Sequence, residues 1–306
     1  VAVNSILYRV ANKIFNVFNK AEPYYHYPMM RNTDFIMLGG SLFAEADDYR
    51  NSRRQISNLT LAASKCNQAY VIGSNFGPYK TKEFLQSYEF IFEKCRDICF
   101  RDKQSYIMFQ NKLKVRYAPD IILSGIWEDF HMPKRQNSIV ISVIDLTKRK
   151  DLNFAINDYE QMMADIAGYH LRKGETVVLA AFCKFEGDVD ACKRIKKLCS
   201  EDNLEIAVYD GPEFLTLFSN AKKVYGTRFH SVILSMYYNI PCVPFIYSQK
   251  TYDALMSYRG SFDCVNLSKL PEYSVKEITE NYGIENINSN IKKSAEKQFE
   301  GVVGCF

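Results

Sequence analysis

Short apolar runs, each cut off by a polar or glycine-bearing turn, recur along this chain with segments of helical spacing between them. No other feature narrows the fold as far. Runs this short, bounded by turn residues, read as strands buried on both faces. Strands of that kind separated by amphipathic helices imply parallel sheets covered by helices. In the first half, Asp34–Leu38 (DFIML) ends in Gly39-Gly40, and Ala69–Ile72 (AYVI) ends in GSNFGP. Asp97–Phe100 (DICF) leads into Arg101-Asp102, and Val115–Ala118 into Pro119-Asp120. Between them, Lys82–Cys95 lines up Phe84, Leu85, Tyr88, Ile91 and Phe92 on one helical face, and Gln104–Gln110 reads as a second helix.

The periodicity lapses around Ser124–Arg135, which reads as a linker. A second series follows. Ser138–Ile144, Thr176–Ala180, Glu205–Tyr209, Lys223–Tyr225 and Cys242–Ile246 read as strands, with helices over Asn157–Arg172, Asp188–Cys199 and Gly211–Ser219 and one opening near His230. Asn288–Glu300 reads as a closing surface helix. At 306 residues the chain is long for one core. The expected fold class is α/β: two doubly wound, Rossmann-like domains, residues 1–130 and 131–306, facing each other across a cleft. Ligands are expected at the carboxyl ends of the strands.

Composition removes several function classes. A net charge of +4 is too mild for a nucleic-acid face, and the basic pieces around Lys148–Lys150 and Lys193–Lys197 are short enough to be solvated surface. No apolar run approaches the roughly 20 residues that span a bilayer. Nine cysteines show no disulfide spacing, so reduced thiols in a cytoplasmic compartment are expected, and no signal peptide is evident in the opening VAVNSILYRV. His26, His131, His170 and His230 are scattered, and Cys95 and Cys99 have no companion pair nearby, so no metal site is expected.

Chemistry concentrates at GTRFH, residues 226–230. A strand ends there and a helix with Val232, Ile233, Met236 and Tyr237 on its apolar face begins, and the positive end of a helix dipole is a ready anion site. In an extended segment, residues two apart project to one side, so Arg228 and His230 can reach one ligand. Arg supplies a planar fork for phosphate or carboxylate, and His a donor or a transferable proton. The other reading is structural: Arg228 pairs with an acidic residue and His230 caps the helix. Tyr247 and Lys250 (YSQK) follow the next strand and add a phenol and a cation.

G-x-R-x-H, an apolar helix and then I-P-x-V-x-x-x-Y-x-x-K resemble the polysaccharide pyruvyl transferase family. DFIMLGGSLF, VIGSNFGP, FRDKQS and APD at 118–120 agree in order, so the resemblance runs over about residues 34–250. It implies a GT-B-like enzyme that moves the pyruvyl group of phosphoenolpyruvate onto a sugar of a surface polysaccharide or its lipid-linked (undecaprenyl-diphosphate-linked) precursor, forming a ketal. By position, Arg228 and His230 match the donor-binding pair, with Ser231, Tyr247 and Lys250 beside them and Lys148 or Arg149 as a third cation. Phosphoenolpyruvate is then a substrate and no cofactor is implied. The cytoplasmic reading and mild basic charge fit peripheral work at the inner membrane face. His230, Asp102 and Asp120 are the acid–base candidates, with Glu45 behind them. Gly39, Gly40, Ser41, Ser74 and Asn75 are candidates for the acceptor side.

Each first-half motif also has a structural reading: Gly39–Ser41 as a tight turn, Arg101-Asp102 as an internal ion pair, Pro119-Asp120 as a turn cap. The resemblance departs at the start, where the family's glycine-rich strand-loop with an acidic residue is not matched. A nucleotide-sugar glycosyltransferase of the same architecture is the alternative, with Glu213 as its ribose-binding acid. A non-catalytic glycan-binding module is a further class, without need of Arg, His and Lys at one strand end.

Overall fold

The computed structural model describes residues 33–46, 49–125, 138–149, 152, 155–219, 221–283 and 289–302. It divides into two compact units, Val1–Ile121 with Ser294–Phe306, and Ile122–Lys293. The expected linker at 124–135 falls largely outside the described residues.

In the first unit, β1 (Phe35–Leu38), β2 (Ala69–Ser74), β3 (Cys95–Phe100) and β4 (Arg116–Tyr117) form a parallel sheet in the order β1-β2-β3-β4. Every residue of β2 is buried, as its continuous apolar run demands. The helix Lys82–Phe92 buries Phe84, Tyr88, Ile91 and Phe92, the face its spacing predicts, and Thr81 caps it by accepting from the Phe84 N–H. Those side chains meet Phe43, Phe76 and Phe109 in an aromatic core, with Phe76 and Phe109 edge to face at 5.0 Å and 89°. The helix Tyr49–Lys65 has no counterpart in the expected elements. Its first half, 50–55, is polar throughout, and it packs on this core through Ile56, Leu59 and Ala63 in its second half.

In the second unit, β5 (Ile139–Val143), β6 (Val177–Ala181), β7 (Glu205–Val208), β8 (Lys223–Gly226), β9 (Cys242–Ile246) and β10 (Val265–Asn266) form a parallel sheet ordered β10-β9-β8-β5-β6-β7. The chain runs outward from β5 through β6 to β7, then returns to the other side of β5 and runs outward again. That reversal is the Rossmann order, and the gap between the carboxyl ends of β5 and β8 is its switch point. The helices Ile156–Leu171 and Asp188–Leu198 bury Tyr159, Met163, Ile166, Ala191 and Ile195 in this unit's core.

The end of the chain departs from expectation. The helix Ser289–Glu296 passes into a short 3-10 turn, Lys297–Phe299, which packs on the first unit rather than closing the second as a surface helix. The cause is Gln298, which is fully buried. Its carbonyl oxygen accepts from the Gly73 N–H at 2.8 Å, and its amide donates to the Ala118 and Pro119 carbonyls at 2.6 and 3.0 Å. One side chain thus satisfies backbone groups at the carboxyl ends of β2 and β4. Among the described residues, no helix is long and apolar enough to cross a membrane.

Candidate active site

The switch point of the second sheet gathers the loops after β5, β6 and β8. Tyr159 ties two of them together: its hydroxyl donates to Thr227 Oγ1 at 3.0 Å and accepts from the Ile144 N–H at 3.2 Å. The helix after GTRFH begins at Phe229, one residue earlier than expected, with Arg228 as its extended N-cap. Residues 228–230 are therefore not one extended segment, and the alternation argument that put Arg228 and His230 on one side does not hold. His230 sits in the first helical turn, partly exposed.

Arg228 is the centre of the site. Its Nε donates to Asp188 Oδ2 at 2.9 Å and its Nη2 to Asp188 Oδ1, a bidentate pair. Its Nη1 donates to Glu186 Oε2 at 2.6 Å. The Arg228 side chain is 12% exposed and that of Asp188 0%, while Glu186 is 51% exposed. Burial alone would lower the guanidinium's pKa; the Asp188 and Glu186 carboxylates outweigh it and raise the value. The structural reading of Arg228, pairing with acids, is thus what the structure contains.

Asp188 opens the helix Asp188–Leu198 and also accepts from the Cys183 N–H at 2.9 Å. Gly187 before it has φ +88, and a Cβ there would collide with the Asp145 carboxylate. Only glycine lets the β6 loop pass so close to the β5 loop. Asp145, 3% exposed, accepts from Thr147 and, at 2.9 Å, from Arg194, which also pairs with Glu160. Arg149 donates to Glu186 Oε2 at 3.3 Å and lies over the Tyr247 ring at 4.9 Å. The structure therefore joins Arg228 and Arg149 through Glu186, with the Tyr247 ring under the Arg149 guanidinium. Of the two third-cation candidates, Arg149 is the one these contacts include.

One donor-side expectation is corrected. Ser231 is fully buried and its hydroxyl donates to the Arg228 carbonyl at 2.6 Å, so it supports the turn and offers no ligand contact. Lys250 follows β9, in the first turn of the helix Gln249–Arg259 that Ser248 caps. Glu186, Asp188 and Arg194 went unmarked in the sequence reading. The readable signal was FEGD, two acids flanking a glycine where β6 stops and a helix starts.

The first unit assembles its own motifs at the carboxyl ends of its strands. Asn75 Oδ1 accepts from Ser41 Oγ at 3.0 Å and from Arg101 Nη2 at 2.9 Å, and Arg101 Nη1 donates to Asp120 Oδ2 at 2.7 Å. The loops after β1, β2, β3 and β4 are thereby one hydrogen-bonded chain, ending in a buried Asp120. Gly39 and Gly40 adopt φ of +66 and +67, and Gly40 faces open space. Arg101 pairs with Asp120 rather than its neighbour Asp102. Asp102 is instead the N-cap of the helix Lys103–Phe109, with Oδ1 accepting from the Ser105 N–H at 2.9 Å and Oδ2 from its hydroxyl at 2.7 Å. Both carboxylate oxygens serve that cap, which removes Asp102 from the acid–base candidates. Ser74 is fully buried and donates to the Gly39 carbonyl at 2.9 Å, and Glu45 accepts from Thr81 Oγ1 at 2.7 Å; both hold loops in place.

A cavity of about 460 Å³ lies elsewhere, at the amino ends of β6 and β7, lined by Glu175, Lys196, Glu201, Asp202 and Glu205. It shares no residue with the switch-point cluster. Among the described residues, no three His, Cys, Asp or Glu side chains gather as metal ligands. His26, His131, Cys305 and the Glu213 side chain lie outside the described residues.

The family model described as polysaccharide pyruvyl transferase matches residues 3–249. The chain belongs to that family. The match begins well before residue 34, so the family likeness includes the opening segment that the motifs did not mark. A curated family relative, the amylovoran biosynthesis protein AmsJ of Erwinia amylovora, is 24% identical over 246 residues, 71% of this chain and 57% of that protein. The chain thus spans little more than half the length of this relative. Among solved structures, the UDP-GlcNAc 2-epimerase of Methanocaldococcus jannaschii aligns with a TM-score of 0.53 at 9% identity, over 97% of this chain and 81% of the other. A putative UDP-N-acetylglucosamine 2-epimerase of Listeria monocytogenes aligns at 0.55 and 8%, over 98% and 78%. At such identities the likeness is one of fold, and it places this pyruvyl transferase family member in the two-domain, GT-B-like α/β class.

Proposed function

We propose that the protein transfers the pyruvyl group of phosphoenolpyruvate to a sugar of a surface polysaccharide or its lipid-linked precursor and closes it as a ketal. One observation carries the reading: within a chain matched by the family over residues 3–249, Arg228 and Arg149 converge at the switch point of the second sheet. A parallel sheet offers an anionic ligand its binding crevice there, and the helix Phe229–Tyr238 adds the positive end of its dipole. The relative named for amylovoran biosynthesis supports a polysaccharide product.

Ketal formation is redox-neutral. The donor's methylene carbon gains a proton, a sugar hydroxyl adds to the resulting oxocarbenium-like centre, and the carbon–oxygen bond to phosphate breaks. A second hydroxyl then closes the ring. Of the two hydroxyl protons, one balances the new methyl group and the other leaves with phosphate. Arg228 holds the donor's phosphate or carboxylate and stabilises charge as phosphate departs. His230, in the first turn of the helix that Arg228 caps, is the proposed proton donor. In the first unit, Ser41 and the open face at Gly40 form the acceptor side, held by the Asn75–Arg101–Asp120 chain. Work on a lipid-linked acceptor at the cytoplasmic membrane face belongs to the same proposal.

Incubation with phosphoenolpyruvate and a galactose- or mannose-bearing acceptor is expected to release phosphate and add a pyruvate ketal, read by mass and by its methyl proton resonance. Arg228→Ala is expected to abolish donor use. Consumption of a nucleotide sugar with no phosphoenolpyruvate turnover would instead establish the glycosyltransferase alternative.

A further inference from the structure

We infer that Glu186 is an internal stand-in for the donor's anionic group, holding the space between Arg228 and Arg149 while the site is empty and leaving it when an anion binds. A single oxygen, Glu186 Oε2, accepts from Arg228 Nη1 at 2.6 Å and from Arg149 Nη2 at 3.3 Å. The two guanidinium groups come from the loops after β8 and β5, and bridging them is the task a phosphate or carboxylate oxygen performs. Asp188, the other partner of Arg228, is fully buried and fixed by the Cys183 N–H; Glu186 is 51% exposed and ends a three-residue turn, Lys184–Glu186. One partner is permanent and the other replaceable.

Charge requires the replacement. Arg149, Arg194 and Arg228 are interleaved with Asp145, Glu160, Asp188 and Glu186, so this network carries one more carboxylate than it has guanidinium groups. An incoming anion meets a repelling carboxylate at the spot it needs. Removal of Glu186 restores the balance and frees Nη1 of Arg228. The inference rests on Arg228 being the donor's anion grip.

The test measures sulfate and phosphoenolpyruvate binding by calorimetry to the wild-type protein, Glu186→Gln and Arg149→Gln. Sulfate keeps its charge across the working pH range and tests the anion position without assuming the donor. Glu186→Gln is expected to bind sulfate roughly three- to fivefold more tightly, the worth of a half-exposed ion pair, and Arg149→Gln more weakly. In the wild type, sulfate affinity should rise as pH falls through the carboxylate range, and this rise should be absent in Glu186→Gln. Equal or weaker sulfate binding by Glu186→Gln, or no sulfate binding by any form, overturns the stand-in. Tighter sulfate binding with no phosphoenolpyruvate binding supports it while removing the proposed donor. If Glu186→Gln does not fold, Glu186→Ala takes its place in the same measurements.

Discussion

Asp188→Asn tests whether the site is built around a buried ion pair. Oδ2 of Asp188 accepts from Arg228 Nε and the Cys183 N–H, both at 2.9 Å, while Oδ1 accepts from Arg228 Nη2 and, at 3.4 Å, from the Asp145 N–H. Asparagine fits neither way round. Whichever oxygen becomes an amide nitrogen, it faces two N–H donors, one of them on the arginine. The substitution also leaves a guanidinium that is 12% exposed without its buried charged partner, with only the half-exposed Glu186 remaining. Breaking a buried pair from one side costs about 3–5 kcal/mol, a large share of the roughly 5–15 kcal/mol that holds a domain folded. Urea unfolding followed by circular dichroism should show that loss in the variant. Glu186→Gln, removing the half-exposed partner, should lose no more than about 1 kcal/mol. A loss below about 1 kcal/mol for Asp188→Asn would refute the reasoning, because Arg228 would then be held by something other than this carboxylate.

Three further outcomes are expected. Tyr88 is fully buried and its hydroxyl has no partner among the described residues, so Tyr88→Phe should raise stability by about 1 kcal/mol, and a lower melting temperature would contradict this. Gln298→Glu sets a carboxylate against the Ala118 and Pro119 carbonyls and should cost more than about 2 kcal/mol in urea unfolding; a neutral result would show that the amide does not donate there. His170, buried between Glu175 at 2.5 Å and the Tyr225 hydroxyl at 2.7 Å, is held below its ordinary pKa of 6.5 by burial and by Lys223 and Lys173, against the pull of Glu175. Below pH 6.5 the unfolded chain takes up a proton the native state resists, so stability should fall as pH drops from 6.5 toward the carboxylate range. His170→Gln should flatten that slope in pH-dependent melting, and an unchanged slope would mean that His170 is not its source.

Much of the fold was legible because buried parallel strands announce themselves. The strand Cys242–Ile246 coincides with its expected run, and the other expected strands lie within one or two residues of theirs. Tyr49–Lys65 went unread because its apolar positions crowd into its second half behind the polar stretch 50–55, although Ile56, Leu59 and Ala63 do share one helical face. The strand-end positions of Arg228, Ser41, Asn75 and Asp120 followed from local pattern alone. Their partners did not. Arg228 reaches Asp188 across the end of β5, forty residues back in the chain, and that meeting depends on β5 lying between β6 and β8. Arg101 likewise prefers Asp120 to the adjacent Asp102, because β3 pairs with β4 and the helix cap claims Asp102 first.

On the proposed function, the two readings of GTRFH, structural ion pair and anion grip, become stages of one device. A guanidinium kept under cover for an anionic ligand cannot stand unpaired in the ligand's absence, since an uncompensated buried charge costs several kcal/mol. It cannot be saturated by buried acids either, or the ligand has nothing to gain. Asp188 takes one edge of Arg228 from the protein side, through Nε and Nη2, and fixes its direction. Glu186 takes Nη1 from a half-exposed turn, which water can reach and a competing anion can displace. On this logic the acids around Arg228 do not argue against ligand binding. Their unequal burial tells which contact is scaffold and which is held open for exchange.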